Sequence, residues 1–263
     1  MGDLLKDRVV IVTGGARGIG RAYCQGVAEQ GGIAVSADIL DSGDTVQAIE
    51  GAGGRASGLP LDVTDMASCE AMVAEVVERH GRIDGLINNA AMFGPSSANQ
   101  GAEMLPFDQI PEDTWKKMLD INITGVWHCV KAVAPVMRRQ GYGKIINISS
   151  NTIQLGNPNL LHYVTTKGAV ATMSRCLARE LGPQGIRVNT LVPGFIQSQA
   201  SKDIMQRHDA AEITDRMRDI CSLGREQYAE DLVGTAVFLL GEQSDFVSGQ
   251  MISVDGGACF TGM

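Results

Sequence analysis

Val9-Val10-Ile11-Val12-Thr13-Gly14-Gly15-Ala16-Arg17-Gly18-Ile19-Gly20 is the stretch from which the fold can be read. The apolar run at 9–12 is β-branched throughout, as in a strand covered on both faces. The glycines that follow let the backbone turn sharply and come close to an anion. A helix beginning there (21–30) points free N–H groups and the positive end of its dipole at the same place. Strand, glycine turn and helix in that order make the opening of a βαβ unit able to cradle a pyrophosphate.

The pattern repeats outward. Short apolar runs at 33–37, 56–61, 83–87, 144–148, 186–192 and 250–254 read as further buried strands. Helical patterns lie between them at 67–80, 111–140, 163–181 and 229–240, with Asp65 as N-cap of the first and a boundary near Pro135 in the second. Gly51-Ala52-Gly53-Gly54 reads as a helix stop and turn. This alternation predicts an α/β chain, a single Rossmann-type doubly wound domain over 1–263, with a seven-stranded parallel sheet and helices on both faces. Two stretches are looser. Residues 93–111 read as a long loop, and 195–222, polar with an apolar stripe of Ile204, Ile213, Met217 and Ile220, reads as a substrate lid.

Asp38 ends the second strand, 18 positions after Gly20. That is near the spacing at which a carboxylate accepts hydrogen bonds from an adenine-ribose 2′-hydroxyl, and a carboxylate there repels a 2′-phosphate. The next Lys or Arg after it is Arg55. Arg17, in the glycine turn, is the counter-signal, since a cation there reaches a 2′-phosphate. Close like charges outweigh one flexible cation, so the reading is NAD rather than NADP.

The 263 residues carry a formal net charge of −8, with 44% hydrophobic and 20% charged residues. A sequence pI of about 5.0 argues against a nucleic-acid partner. No apolar stretch has the 18 residues of a membrane span, and the N-terminus lacks the pattern of a signal peptide. The six cysteines read as buried thiols of a reducing, cytoplasmic protein, and the four histidines show no metal-ligand spacing. Trp115 and Trp127 read as packing residues.

From these residues onward the chain resembles the short-chain dehydrogenase/reductase family along its whole length. Gly14, Gly18, Ile19 and Gly20 match its cofactor turn. Asp62-Val63 match its adenine-contacting pair, and Asn88-Asn89-Ala90-Ala91 its Asn-Asn-Ala-Gly element with Ala91 in place of Gly. Asn122, Ser150, Tyr163 and Lys167 match its catalytic tetrad. Pro193-Gly194 match the element after the sixth strand, and Val254-Asp255-Gly256-Gly257 the last strand. The resemblance implies further cofactor contacts from Asn89, Ala90, Ile196 and Ser198, the last standing where Thr is frequent. It also implies that Lys167 holds the nicotinamide ribose, and it implies a homotetramer paired through 229–240 and 250–254.

The chemistry is consistent with that resemblance. Alcohol oxidation needs a proton acceptor and a hydride acceptor. A free tyrosine, with a pKa near 10, stays protonated at neutral pH and so cannot serve as the base. Tyr163 and Lys167 are spaced i, i+4 on one helix face, so the ammonium and a cationic nicotinamide are expected to lower that pKa. Ser150 would hold the substrate oxygen, and Asn122 a water leading to Lys167. His162 points away from Tyr163 and reads as structural or pocket-lining. The pocket candidates Phe93, Thr152, Ile153, Leu155, Phe195 and Met205 are mostly apolar. Lys202, Arg207, Arg216 and Arg218 read as a solvated face. The sequence therefore predicts an NAD-dependent dehydrogenase of small, uncharged, aromatic or cyclic secondary alcohols, and 143–152 with 162–167 look like 1-phenylethanol-type dehydrogenases. A 3-oxoacyl-thioester reductase using NADPH is the alternative enzyme, and a dinucleotide-sensing scaffold the alternative outside catalysis.

Overall fold

A computed structural model describes residues 3–93, 104–197 and 210–260, without the side chains of 210–213. Its seven strands are β1 (Val9–Thr13), β2 (Ile33–Asp38), β3 (Arg55–Pro60), β4 (Gly85–Asn88), β5 (Gly143–Ile148), β6 (Ile186–Pro193) and β7 (Met251–Val254). They form one parallel sheet in the order β3-β2-β1-β4-β5-β6-β7. Chain direction through the sheet reverses between β1 and β4, and the crevice outside the carboxyl ends at such a point is where these folds take ligands. Register brings Thr13 beside Ala37, Asn88 beside Asn147, and Pro193 beside Val254, so the strands end on a common rim.

Alternate strand residues face opposite sides, and each side has its own core. On one, Ile11, Val35, Leu86, Ile145 and Val188 pack with Val73, Val133 and Leu181. These come from α3 (Met66–His80), α5 (Gly125–Gln140) and α7 (Leu161–Leu181). On the other, Val10, Val12, Ile87, Ile146 and Leu191 pack with Tyr23, Val27 and Leu232. These come from α1 (Gly18–Glu29) and α9 (Glu230–Leu240). The remaining helices are α2 (Gly43–Gly51), α4 (Glu112–Leu119), the short α6 (Thr152–Leu155) and α8 (Ala210–Ile220). No helix of the described residues is long and apolar enough to cross a membrane.

Several boundaries differ from the sequence reading, each for a physical reason. Asp65 caps α3 as expected, accepting from Ala67 N. The helix read over 111–140 does not break at Pro135, which sits inside α5. Val130, Val133, Val136 and Met137 around it are buried, and that packing offsets the lost backbone bond. The break falls earlier, in a π-turn at Asp120–Thr124 centred on Asn122. β4 begins after Ile83, whose N–H and C=O are bonded by the Gln140 side chain and not by the sheet. Trp127 is 46% exposed, with Lys131 Nζ over its ring, so it is no core residue. Cys24, Cys69 and Cys129 are buried thiols, whereas Cys176 is exposed.

Candidate active site

The glycine turn is built for close approach. Gly14 has φ +68°, and a Cβ on it would lie 3.0 Å from Ala90 Cα. A Cβ on Gly20 would lie on top of the Gly14 carbonyl oxygen, so only glycine allows the turn to close on the helix. Three side chains hold the turn from behind. Thr45 Oγ1 donates toward Gly15 O and Ala16 O, Arg21 donates to Ala16 O, and Asn89 Nδ2 donates to Thr13 O and Gly14 O. No side chain caps the N-terminus of α1, where Arg17 stands exposed at the N-cap. The first-turn N–H groups of α1 thus suit an anion such as a dinucleotide pyrophosphate.

Asp38 is 8% exposed and accepts from Ala16 N and Leu40 N, both at 3.0 Å. The carboxylate is fastened to the turn itself, and each oxygen keeps a further lone pair for a ribose hydroxyl. A cavity of about 430 Å³ opens beside it, lined by Ile39, Ser42, Val46, Gly58 and Pro60 among others. Asp62 is exposed and accepts from Thr64. Val63 is buried against Gly125, and its carbonyl oxygen lies 3.1 Å from His128 Nδ1. Ile196 is likewise buried in the core, so it can present only backbone to a ligand. Ser198 and Met205 lie outside the described residues.

Across the crevice, Ser150 follows β5, and Tyr163 and Lys167 share one face of α7. Ser150 stands close enough to Tyr163 for its hydroxyl to pull the phenol pKa down. Lys167 Nζ donates to Ile148 O at 2.9 Å and sits 5.6 Å from the centre of the Tyr163 ring. Burial raises the Tyr163 phenol to about 12, against a smaller downward pull from Ser150. Burial also lowers the Lys167 ammonium to about 8. The expected lowering of the Tyr163 pKa includes the charge of a bound nicotinamide. Within the protein alone, desolvation disfavours both charged forms more than the pair favours them.

Asn122 is bonded to its neighbours through both ends of its amide. Oδ1 accepts from Met92 N, and Nδ2 donates to Met92 O and to Thr166 Oγ1. Thr166 Oγ1 donates onward to Tyr163 O, and Ser149 Oγ donates to Lys167 O. Around the phenol, Phe93 meets the Tyr163 ring edge-on, with centroids 4.5 Å apart. Leu155 is 38% exposed. Phe195 lies with Asn151, Met217 and Asp255 around a small cavity. Arg218 pairs with Asp215 and Arg216 is exposed, while Lys202 and Arg207 fall outside the described residues. His162 is 1% exposed with neither ring nitrogen bonded, and burial lowers its pKa.

The family model described as enoyl-(acyl carrier protein) reductase matches residues 14–259. The chain belongs to the short-chain dehydrogenase/reductase family. It is 36% identical over 256 residues to the short-chain reductase protein NovJ of Streptomyces niveus, covering 96% of this chain and 94% of that one. It is 33% identical to the 3-oxoacyl-[acyl-carrier-protein] reductase FabG of Thermotoga maritima (96% and 98% covered). It is 34% identical to the galactitol 2-dehydrogenase of Agrobacterium fabrum (96% and 98% covered). Among solved structures, a putative gluconate dehydrogenase from Agrobacterium tumefaciens aligns with TM-score 0.89 at 30% identity, covering 98% of each chain. A putative NAD(P)-dependent gluconate 5-dehydrogenase from Beutenbergia cavernae, with NADP bound at low occupancy, aligns at 0.86 and 29% (98% and 99% covered). The protein is thus an NAD(P)-dependent oxidoreductase acting on CH–OH groups.

One part of this short-chain dehydrogenase was not legible as a site. The turn after β7 clamps three regions together. The buried Asp255 carboxylate accepts from Gly257 N, Cys259 N and Asn151 Nδ2. Leu223 N and Ser222 Oγ donate to Gly256 O and Gly257 O, and Gly194 N donates to Val254 O. Both ends of 195–222 and the residue after Ser150 therefore meet at one turn. Only the Val-Asp-Gly-Gly motif marked it in the sequence.

Proposed function

We propose that the chain is an NAD-preferring dehydrogenase for small, uncharged secondary alcohols, aromatic or cyclic, working equally as a ketone reductase. The observation that carries the chemistry is the Lys167 ammonium held beside the Tyr163 ring, with the Ser150 hydroxyl near enough to the phenol to pull its pKa down. The dinucleotide, when bound, supplies the hydride acceptor and, in its oxidised form, a positive charge. Ser150 Oγ holds the substrate oxygen. Tyr163 accepts the hydroxyl proton, and with an intrinsic value near 12 it needs that cationic surrounding to act near neutral pH. Lys167, anchored on Ile148 O, is pinned for the ribose and the phenol at once. Phe93 offers a carbon face to the substrate. Asp38, held on the turn by Ala16 N, supports NAD over NADP.

A second reading is a 3-oxoacyl-thioester reductase using NADPH. The exposed Arg17 at the N-cap of α1 favours it, as do the acyl-carrier-protein reductases among the relatives. A substrate panel followed by NADH absorbance, with NAD and NADP in parallel, separates the two. Secondary alcohols turned over with NAD support the first. Preference for NADPH and an acyl thioester overturns it.

We also infer a cytoplasmic homotetramer. Three buried thiols fit a reducing compartment, and Trp127, Phe238, Phe246 and Phe260 are exposed aromatics of the kind subunit contacts cover. Light scattering at micromolar concentration tests it, and a monomer mass rejects it.

A further inference from the structure

The segment between Ser150 and Tyr163 holds more hydrogen-bonding capacity than the protein uses. Thr152 Oγ1, both ends of the Gln154 amide and Asn157 Oδ1 are shielded from solvent, and none has a partner. Folded proteins pair nearly all such atoms, and each one left alone costs about 1–3 kcal/mol. Other unpartnered buried atoms, such as Tyr23 Oη, Ser57 Oγ and Ser253 Oγ, occur singly and far apart in the chain. Here four fall within residues 152–157, flanked by the two residues placed on the substrate oxygen. Thr152 is tied to the site directly, because its N–H donates to Ser150 Oγ at 3.3 Å. Its own hydroxyl lies two positions along the chain from the one that holds the reacting oxygen.

The stretch 150–163 contains no Lys, Arg, Asp or Glu, and its one titratable imidazole, His162, is kept neutral by burial. Its natural complement is a neutral group that both donates and accepts. A hydroxyl does both, and so do the Thr152 hydroxyl and, with its two ends, the Gln154 amide.

We propose that Thr152, assisted by Gln154, is a specificity device for a second hydroxyl, so that the preferred substrate is an uncharged vicinal diol, or an α-hydroxyketone in the reductive direction. The inference rests on the oxidoreductase reading above and narrows its substrate. One carbinol is oxidised: its C–H hydride passes to oxidised nicotinamide dinucleotide and its hydroxyl proton to Tyr163. The neighbouring hydroxyl is unchanged and only bound. A site built to bond a substrate hydroxyl rejects the analogue lacking it far more strongly than an apolar pocket rejects a surplus one.

The test compares kcat/KM with NAD for cyclohexanol and for cis- and trans-cyclohexane-1,2-diol, together with open-chain mono-ols and vicinal diols. The wild-type enzyme is expected to favour the better diol isomer over its mono-ol by at least about tenfold. Thr152→Val keeps the shape and removes the hydroxyl. It should bring that ratio to within about threefold, whereas Thr152→Ser should retain most of it. Gln154→Leu should lower the ratio in the same direction. Equal wild-type rates for mono-ol and diol overturn the inference while leaving the dehydrogenase reading intact. So does a ratio that survives both Thr152→Val and Gln154→Leu, since the unpartnered atoms would then serve bound water. Absence of NADH from every alcohol, with folding confirmed by circular dichroism, overturns the dehydrogenase reading and the inference with it.

Discussion

Asn122 grips the backbone of Met92 at both ends, accepting from its N–H at 2.7 Å and donating to its carbonyl at 2.8 Å. The two residues are 30 positions apart, one in the π-turn before α5 and the other just past β4. The same amide donates to Thr166 Oγ1, which donates to Tyr163 O. One side chain thus ties together the strand exit that carries Phe93, the widened helix turn, and the helix that carries Tyr163. A π-turn has poorer local bonding than an α-turn, and it persists here because this long-range clamp holds it.

Replacing Asn122 by Ala should therefore do more than remove one polar group. Met92 N and O, buried, lose their partners at a cost of about 1–3 kcal/mol. For a chain of this length that lowers Tm by roughly 2–12 °C. Turnover should fall as well, with dinucleotide affinity changing less. Calorimetry and steady-state kinetics check both. An unchanged Tm would mean that the clamp is not what holds the turn.

Tyr163→Phe removes the proton acceptor and keeps the ring against Phe93. The expected loss in kcat is about 10²- to 10⁴-fold, with dinucleotide Kd within about twofold. Lys167→Ala should harm both quantities, because Nζ serves ribose and phenol together. Fluorescence titration of NADH beside kinetics separates the two patterns. Near-normal turnover in Tyr163→Phe would refute the mechanism.

Asp38→Ser should narrow the preference for NAD over NADP by about 10- to 100-fold, corresponding to about 1.4–2.8 kcal/mol of relieved repulsion. Arg17 stays in place and is then unopposed. The measurement is the ratio of kcat/KM for the two cofactors. A ratio untouched by the substitution would move the discrimination away from β2.

The features legible in the sequence were those set by local spacing. The glycine turn, Asp38, and the i, i+4 pair Tyr163 and Lys167 lie where their spacing put them. The parallel, doubly wound sheet followed from the alternation of apolar runs with helical patterns. What was hidden depends on contacts between distant residues or on weak periodicity. Helix α2 buries only Thr45 and Ile49, too few to mark an amphipathic face, so Thr45 behind the glycine turn went unseen. The π-turn depends on Met92 and Thr166, and the late start of β4 on Gln140, none of them local. The Asp255 clamp reaches Asn151 across 104 positions, which no spacing rule reveals.

His162 makes the acid side of stability predictable. Burial lowers its pKa, so the unfolded chain binds a proton more readily than the folded one. Stability is complete above the unfolded value near 6.5 and declines as pH falls below it, until the folded group also protonates. His162→Phe removes the titration and an imidazole with two unbonded nitrogens. Its Tm should match or exceed the wild type at pH 7.5 and fall less steeply between about pH 6.5 and 5. Parallel acid limbs in the two proteins would assign the acid loss to other groups.

The clamp at Asp255 yields the last prediction. Its carboxylate meets three donors, Gly257 N, Cys259 N and Asn151 Nδ2, and no cation among the described residues. Asp255→Asn replaces one acceptor oxygen with an amide N–H₂. Whichever way the amide turns, it sets donor against donor on one side. Hydrogen bonds to a charged acceptor contribute about 1.5–3 kcal/mol, so Tm should drop by roughly 3–12 °C. If the carboxylate also orients the Ser150-Asn151 corner, kcat should fall several-fold with NADH affinity nearly constant. Asn151→Ala should then produce a similar kcat loss, and the double variant should be little worse than either single one, as for residues acting through one contact. Additive kcat losses would show that Asp255 stabilises the C-terminal turn alone and does not act on the corner through Asn151.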